Sequence, residues 1–120
     1  MNDRLRFRAW DKSFQKYYEN VIVSTINGEI TVYGRLVNGD TVLIPSAHVV
    51  LEQCTGLKDK NGKFIYEGDM LLLDPDDPRA FVVWDEDVAM FCIEQEDVCY
   101  TFDNCGYSPQ EMEVIGNIHE

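Results

Sequence analysis

Four cysteines and two histidines are the residues of this chain whose types most readily perform nucleophilic or metal chemistry. They are Cys54, Cys92, Cys99, Cys105, His48 and His119. No two cysteines form a C-x-x-C pair, and the spacings of seven and six residues along 92, 99 and 105 do not match a zinc finger or ribbon. Free cysteine is among the most buried residue types. We therefore expect the cysteines to pack in the core and expect no metal site.

Other catalytic and cofactor-binding patterns are also incomplete in this sequence. A nucleophilic cysteine needs a histidine within hydrogen-bond reach, and the position of His48 six residues before Cys54 does not indicate such a pair. A calcium loop that began at Asp59 would need glycine and glutamate where the chain has Phe64 and Met70. No phosphate-binding loop of the G-x-x-x-x-G-K-[ST] type occurs. The sequence predicts a protein that is not an enzyme and needs no cofactor.

The net charge of −12 is divided unevenly along the chain. Residues 1–63 contain nine of the ten basic residues and seven acids, whereas residues 64–120 contain one arginine and fifteen acids. An acidic half repels phosphates, so nucleic acid is an unfavoured partner. The acidic residues form either a solvated surface or a face for a basic partner. The candidate acidic face comprises Asp74, Asp76, Asp77, Asp85, Glu86 and Asp87.

Three arginines near the start of the chain, Arg4, Arg6 and Arg8, form a basic stripe beside Trp10. Alternate residues of a strand lie on one face, so a strand here would align all three. The stripe could bind the phosphates of a single nucleic-acid strand with help from aromatic side chains. It could equally pair with the acidic half, within one molecule or between copies.

The elements that position these residues are strands in the first half of the chain. Alternating residues predict a strand over 5–10, and residues 11–20 are interpreted as a loop. Strands over 21–26, 29–37 and 41–44, joined at Asn27-Gly28 and Asn38-Gly39 and ended by Pro45-Ser46, predict a meander. Gly34 lies within the second of them and indicates a bulge or a close approach.

The second half of the chain also consists mainly of strands. Residues 49–54 fit a strand or a helical turn, and Thr55-Gly56 is interpreted as a boundary. Turns at Asn61-Gly62 and at residues 67–69 precede strands over 70–73, 79–84, 88–93, 98–102 and 113–118. A proline after Ser108 and a capping-box Glu111 predict a short helical turn before the last strand. This order fits a small SH3-like barrel.

The predicted fold class is therefore mostly β, with an N-terminal β-meander followed by an SH3-like barrel-type C-terminal half. The length fits one domain over 1–120, with sub-regions 1–54 and 55–120. The longest apolar run has six residues, which is too short to span a bilayer, and no apolar segment follows the first charges. We expect a cytoplasmic protein without a membrane partner.

Several segments resemble one known family in order along the chain. Residues 55–69, TGLKDKNGKFIYEGD, resemble the central signature of the YopX family. Residues 7–11 (FRAWD), 82–85 (VVWD, with Phe91 following) and 114–118 (VIGNI) are similar to other segments of that family. The resemblance implies a β-rich protein of phage or prophage origin and unassigned role, located in the host cell, with a tendency to form oligomers. Residues 92–105 follow no family pattern.

The signature itself has two interpretations. Its glycines supply turn positions and its apolar residues supply core, which is typical of a folding motif. The functional alternative is a surface built by Lys58, Asp59, Lys60 and Glu67.

These observations favour a non-enzymatic binding or assembly module that associates with itself or with a host or phage protein. If the uneven charge drives assembly, salt would dissociate it. The alternative is a nucleic-acid-related role. In that case either the arginine stripe binds single strands, or the acidic half imitates nucleic acid and blocks a host protein.

Overall fold

The computed structural model describes residues 6–18, 21–26, 29–35, 40–44 and 48–119, and this part of the chain is almost entirely β. Its strands are β1 (Phe7–Asp11), β2 (Lys16–Tyr18), β3 (Ile22–Ile26), β4 (Glu29–Arg35), β5 (Thr41–Ile44), β6 (Val49–Lys58), β7 (Phe64–Tyr66), β8 (Asp69–Leu72), β9 (Ala80–Asp85), β10 (Met90–Gln95), β11 (Val98–Thr101) and β12 (Glu113–Asn117). A 3-10 helix, Pro109–Glu111, precedes β12. The predicted fold class is confirmed. In the described residues, no helix has the length and apolar character needed to span a membrane.

The chain divides into two compact units, Met1–Gln53 and Cys54–Glu120. The interpretation of residues 1–120 as a single domain stays a prediction.

In the first unit, β1 pairs antiparallel with β2 on one side and with the first five residues of β6 on the other. The prediction of a loop over residues 11–20 is therefore wrong for β2. Asp11 turns the chain, because its carboxylate accepts the backbone N–H groups of Ser13 and Phe14 at 2.8 and 3.1 Å. This turn places Tyr17 opposite Trp10 in the ladder.

The predicted meander is confirmed as the antiparallel sheet β3-β4-β5. Its expected turns at Asn27-Gly28 and Asn38-Gly39, and the break at Pro45-Ser46, lie outside the described residues. The register of β4 with β5 is continuous through Gly34. A Cβ at Gly34 would lie 3.0 Å from Cδ1 of Ile44, so this glycine serves a close approach and not a bulge.

Residues 49–58 form one strand, so the strand interpretation of residues 49–54 is correct. This strand runs through Thr55-Gly56, although the two compact units divide nearby, between Gln53 and Cys54. The register of β6 with β7 shifts between the pairs Cys54–Tyr66 and Lys58–Phe64. Gly56 has a φ of 85°, which lets the strand bulge and continue instead of ending.

The second unit contains an antiparallel sheet in the order β11-β10-β9-β8-β12, which curls into a half-barrel. Its core is formed by buried side chains of several strands and by Met112 after the 3-10 helix; among them are Ile65, Leu71, Val82 and Ile93. The helical turn predicted from the capping box is confirmed. The Glu111 carboxylate accepts a hydrogen bond from the Ser108 hydroxyl at 3.1 Å.

Candidate functional site

The arginine stripe predicted from the sequence is not an exposed basic surface. Arg4 lies outside the described residues, and Arg6 precedes β1 and is half-buried. Arg8 is only 6% exposed, and its Nε donates to Oε1 of Glu52 at 2.8 Å. The placement of Arg8 on an interaction surface is therefore wrong, because a carboxylate in the same unit already holds its guanidinium.

Aromatic side chains complete this buried pair. The Arg8 guanidinium lies 4.3 Å from the centre of the Tyr17 ring, and the Tyr17 hydroxyl donates to the same Glu52 oxygen at 2.9 Å. Trp10 is half-buried, with its ring edge-on to Tyr17 at 5.0 Å. Trp10 therefore packs beside the ion pair, and the group fixes the β1–β2–β6 register.

The residues of the YopX-like signature separate into exposed cations and buried acids. Lys58 and Lys60 are exposed, with Lys58 over the Phe64 ring at 4.9 Å and Lys60 3.7 Å from Oε1 of Glu113. Glu67 is half-buried. Asp59, in contrast, is only 3% exposed, so its placement on a surface is wrong.

Asp59 ties the β6–β7 turn to the beginning of β12. Its Oδ1 accepts the backbone N–H groups of Asn61 and Lys63, and its Oδ2 accepts that of Val114, all at 2.9 Å. Burial opposes ionisation of this carboxyl. The three N–H donors and the nearby Lys63 charge outweigh burial, so the pKa of Asp59 lies below its ordinary value.

Two more polar residues of the signature hold backbone in the same manner. The Thr55 hydroxyl donates to the carbonyl of Ile65 at 2.8 Å, and Oδ2 of Asp69 accepts the N–H of Tyr66 at 2.7 Å. Both side chains are buried. These contacts support the interpretation of the signature as a folding motif.

The six residues of the predicted acidic face form two groups. Asp74, Asp76 and Asp77 lie in the connection from β8 to β9, whereas Asp85, Glu86 and Asp87 lie at the far end of β9. The five steps along β9 separate the two groups by about 17 Å. They do not make one continuous face. In the first group, Asp77 accepts a hydrogen bond from the Tyr107 hydroxyl at 3.1 Å, which raises the pKa of Tyr107.

Two cysteines and one acid meet on the second sheet. A carboxylate oxygen of Asp85 and the Sγ atoms of Cys92 and Cys99 all lie within 4.8 Å of one another. Cys92 is 2% exposed and Cys99 is exposed. Burial, and then the charges of Cys99 and Asp85, raise the pKa of Cys92 to about 11. We call these three residues the thiol cluster.

A cavity of about 490 Å³ opens beside the thiol cluster, and Asp85, Glu94 and Cys99 are among its lining residues. Core packing was expected for all four cysteines. Cys54 and Cys92 are buried, but Cys105 is half-buried and Cys99 is exposed, so the expectation is wrong for Cys99. Asp85, Cys92 and Cys99 are separated by seven residues each, but strand register and not this spacing brings them together, so no local sequence signal indicates the cluster.

An apolar row crosses the outer face of the sheet β3-β4-β5. Ile22 pairs with Tyr33, and Tyr33 pairs with Leu43, so the three side chains lie side by side. Their neighbours Val32 and Ile44 are buried on the opposite face. Ile22 is 40% exposed and Leu43 is 64% exposed. We call Ile22, Tyr33 and Leu43 the apolar row.

Comparison with known proteins agrees with the resemblance of the sequence segments. The family described as YopX protein matches residues 6–120. The crystal structure of protein EF1440 from Enterococcus faecalis is similar to this chain, with 27% identity and a TM-score of 0.67. That similarity covers 96% of this chain and 93% of the other. None of the curated proteins matches. Because the family match spans nearly all of its length, the chain belongs to the YopX protein family.

Proposed function

We propose that this protein is a non-enzymatic, phage-derived assembly module that associates with a second copy of itself through the apolar row. The observation that supports the proposal is the alignment of three adjacent large side chains on the solvent side of a sheet whose other side buries Val32 and Ile44. Exposed apolar side chains that touch one another mark contact surfaces more often than scattered ones do.

The edges of the same sheet favour a second copy as the occupant. Among the described residues, β3 and β5 each pair with β4 alone, so each forms an edge of the sheet. A two-fold axis beside the β5 edge would place Leu43 of one copy next to Leu43 of the other on one continuous face. The contact would then pack the two Leu43 side chains against each other and cover part of their exposed surface.

Charge sets the conditions under which this contact forms. Two chains of net charge −12 repel each other, and salt screens that repulsion. The proposed association is therefore stronger at high salt. Assembly driven by the uneven charge would instead weaken as salt is raised. The Arg8–Glu52 ion pair also leaves fewer cations for contacts between copies.

The nucleic-acid alternatives receive less support from the geometry. Single-strand binding would use Arg8, which is buried against Glu52 and Tyr17. Imitation of nucleic acid would use a continuous acidic face, and β9 separates the two acidic groups. A host or phage protein that occupies the apolar row in place of a second copy is an outcome that the following experiment distinguishes.

The proposal is tested by changing Leu43 to lysine. Complete burial of a leucine contributes about 1.5–3 kcal/mol. Leu43 is 64% exposed, so covering about half of its exposed part contributes about 0.5–1 kcal/mol, or roughly 1–2 kcal/mol in a symmetric dimer. Leu43→Lys should weaken the dimer roughly 5-fold to 30-fold, measured by sedimentation equilibrium.

Val88→Lys is the matched control, because Val88 is similarly exposed at 51% but lies outside the row. It should leave the dimer constant unchanged. Equal weakening by both variants would contradict the proposal. The wild-type protein could instead be monomeric, with Leu43 covered only when a host extract is added. That result would assign the apolar row to a different protein partner.

A further inference from the structure

Strand register, and not sequence proximity, assembles the thiol cluster. Cys92 pairs with Val83 on β9 and with Thr101 on β11. Asp85 and Cys99 are each two residues away from those partners, so their side chains lie on the same face as that of Cys92. The three residues therefore form a diagonal line across three neighbouring strands.

We propose that Asp85, Cys92 and Cys99 bind one zinc ion. Their ligand atoms lie within 4.8 Å of one another. A tetrahedral zinc ion with sulfur at about 2.3 Å and oxygen at about 2.1 Å holds its ligand atoms roughly 3.5–3.8 Å apart. Small side-chain rotations close that difference. Thiolates select soft and borderline cations such as zinc over magnesium and calcium.

The surroundings of the cluster favour a cation. Asp85 contributes a carboxylate, and Glu86 and Asp87 add exposed carboxylates beside the same cavity. Their field attracts a divalent ion, and the ion in turn stabilises both thiolates as their protons leave for solvent. The cavity gives access from solvent, so water can take the fourth ligand position.

A disulfide between Cys92 and Cys99 is the competing chemistry. The two residues are diagonal and not directly opposite, because Cys99 pairs with Glu94. Diagonal neighbours have Cα atoms about 7–8 Å apart, whereas disulfides join Cα atoms about 4.4–6.8 Å apart. A metal ion spans the larger distance without moving the strands, so the geometry favours the ion.

Cobalt titration of the metal-free full-length chain under a phosphine reductant tests the site. We expect one cobalt per chain, with thiolate-to-cobalt charge-transfer absorption that zinc abolishes by displacement. Cys99→Ser is the main variant, because Cys99 is exposed and its loss leaves the core intact. It should weaken binding by more than the roughly 10–100-fold typical of outer-shell changes, and should reduce the absorption per cobalt. Asp85→Asn should weaken binding while retaining that absorption.

Two control variants test whether the loss of any exposed acid or any thiol has the same effect. Asp76→Asn removes an exposed acid from the connection between β8 and β9, and Cys105→Ser removes a thiol outside the cluster. Both should leave the cobalt affinity within severalfold of wild type. Zinc should raise the melting temperature of wild type but not of Cys99→Ser.

Three results would overturn the proposal. The first is charge-transfer absorption in Cys99→Ser equal to that of wild type. The second is no absorption from wild type at millimolar cobalt. The third is peptide mapping that finds Cys92 joined to Cys99 by a disulfide in protein prepared under reductant.

Discussion

Replacing Asp59 by alanine should destabilise the second unit by about 3 kcal/mol. The carboxylate accepts three backbone N–H groups, from Asn61, Lys63 and Val114. Each donor left without a partner costs about 1–3 kcal/mol, and the low end applies because these groups are only partly buried. A domain of this size has about 5–15 kcal/mol of total stability, so the loss is a large fraction of it.

Urea unfolding followed by tryptophan fluorescence measures this loss. Trp84 lies in the second unit and Trp10 in the first, so a Trp10→Phe background makes the signal specific for the second unit. With a urea dependence of about 2 kcal/mol per molar, the midpoint should fall by about 1.5 M. Asp59→Asn keeps one acceptor oxygen and should lie between wild type and Asp59→Ala. Asp76→Ala, at an exposed loop acid, should change stability by less than about 0.5 kcal/mol.

The pH dependence of the same variant supplies an independent check. The pKa of Asp59 is lowered in the folded protein, so its contribution is present above about pH 4 and is lost as pH falls through the folded pKa. The difference in the free energy of unfolding between wild type and Asp59→Ala should therefore become smaller below about pH 4. A difference in the free energy of unfolding of less than about 0.5 kcal/mol at pH 7 would refute the assignment that Asp59 stabilises the contact between the β6–β7 turn and β12.

Three other buried residues, Arg8, Gly34 and Cys92, should also affect the stability of the fold. Arg8→Ala should cost about 3–5 kcal/mol in the first unit, monitored by Trp10 fluorescence, because it leaves Glu52 charged and buried; an unchanged midpoint would contradict this. Gly34→Ala should cost about 1–3 kcal/mol in urea unfolding and Ile44→Val should relieve it, since the new Cβ would lie 3.0 Å from Ile44 Cδ1; equal costs in both backgrounds would exclude that contact. The pKa of Cys92 is raised to about 11, so wild-type stability should fall between about pH 9 and pH 11 as the unfolded thiol ionises first, and Cys92→Ala should lack that part of the decline.

Local sequence signals predicted the parts of the fold that local chemistry determines. The Asn-Gly pairs predicted that three consecutive strands form an antiparallel meander, although the turns themselves lie outside the described residues. Ser108 and Glu111 indicated the 3-10 helix, because a capping box involves only neighbouring residues. Gly34 within a strand predicted a bulge or a close approach, and the structure has the close approach, to Ile44.

The errors have a different physical origin, namely contacts between residues far apart in sequence. Asp11 forms a tight turn that allows β2 to pair with β1, and no alternating pattern marks so short a strand. Glu52 lies 44 residues from Arg8, so the burial of that arginine has no local signal. The thiol cluster depends on the register of three strands. The spacing of its residues in the sequence does not determine that register.

The signature shared with the YopX family illustrates the same distinction. Its glycines and apolar residues were interpreted correctly as turns and core. The alternative interpretation of this segment places Asp59 on a surface, yet Asp59 is buried and accepts the backbone N–H of Val114, which is 55 residues away in sequence. Lys58 and Lys60 remain exposed residues of that segment, with aromatic or acidic neighbours.

Self-association through the apolar row is the central claim, and the molar mass in solution at low and high salt tests it most directly. Light scattering on the wild-type chain should give a mass above the 13.9 kDa of one chain, and the multimeric fraction should grow as salt is raised. A mass of 13.9 kDa at every salt concentration would contradict self-association. A multimer that dissociates as salt is raised would show that charge, and not the apolar row, holds the copies together.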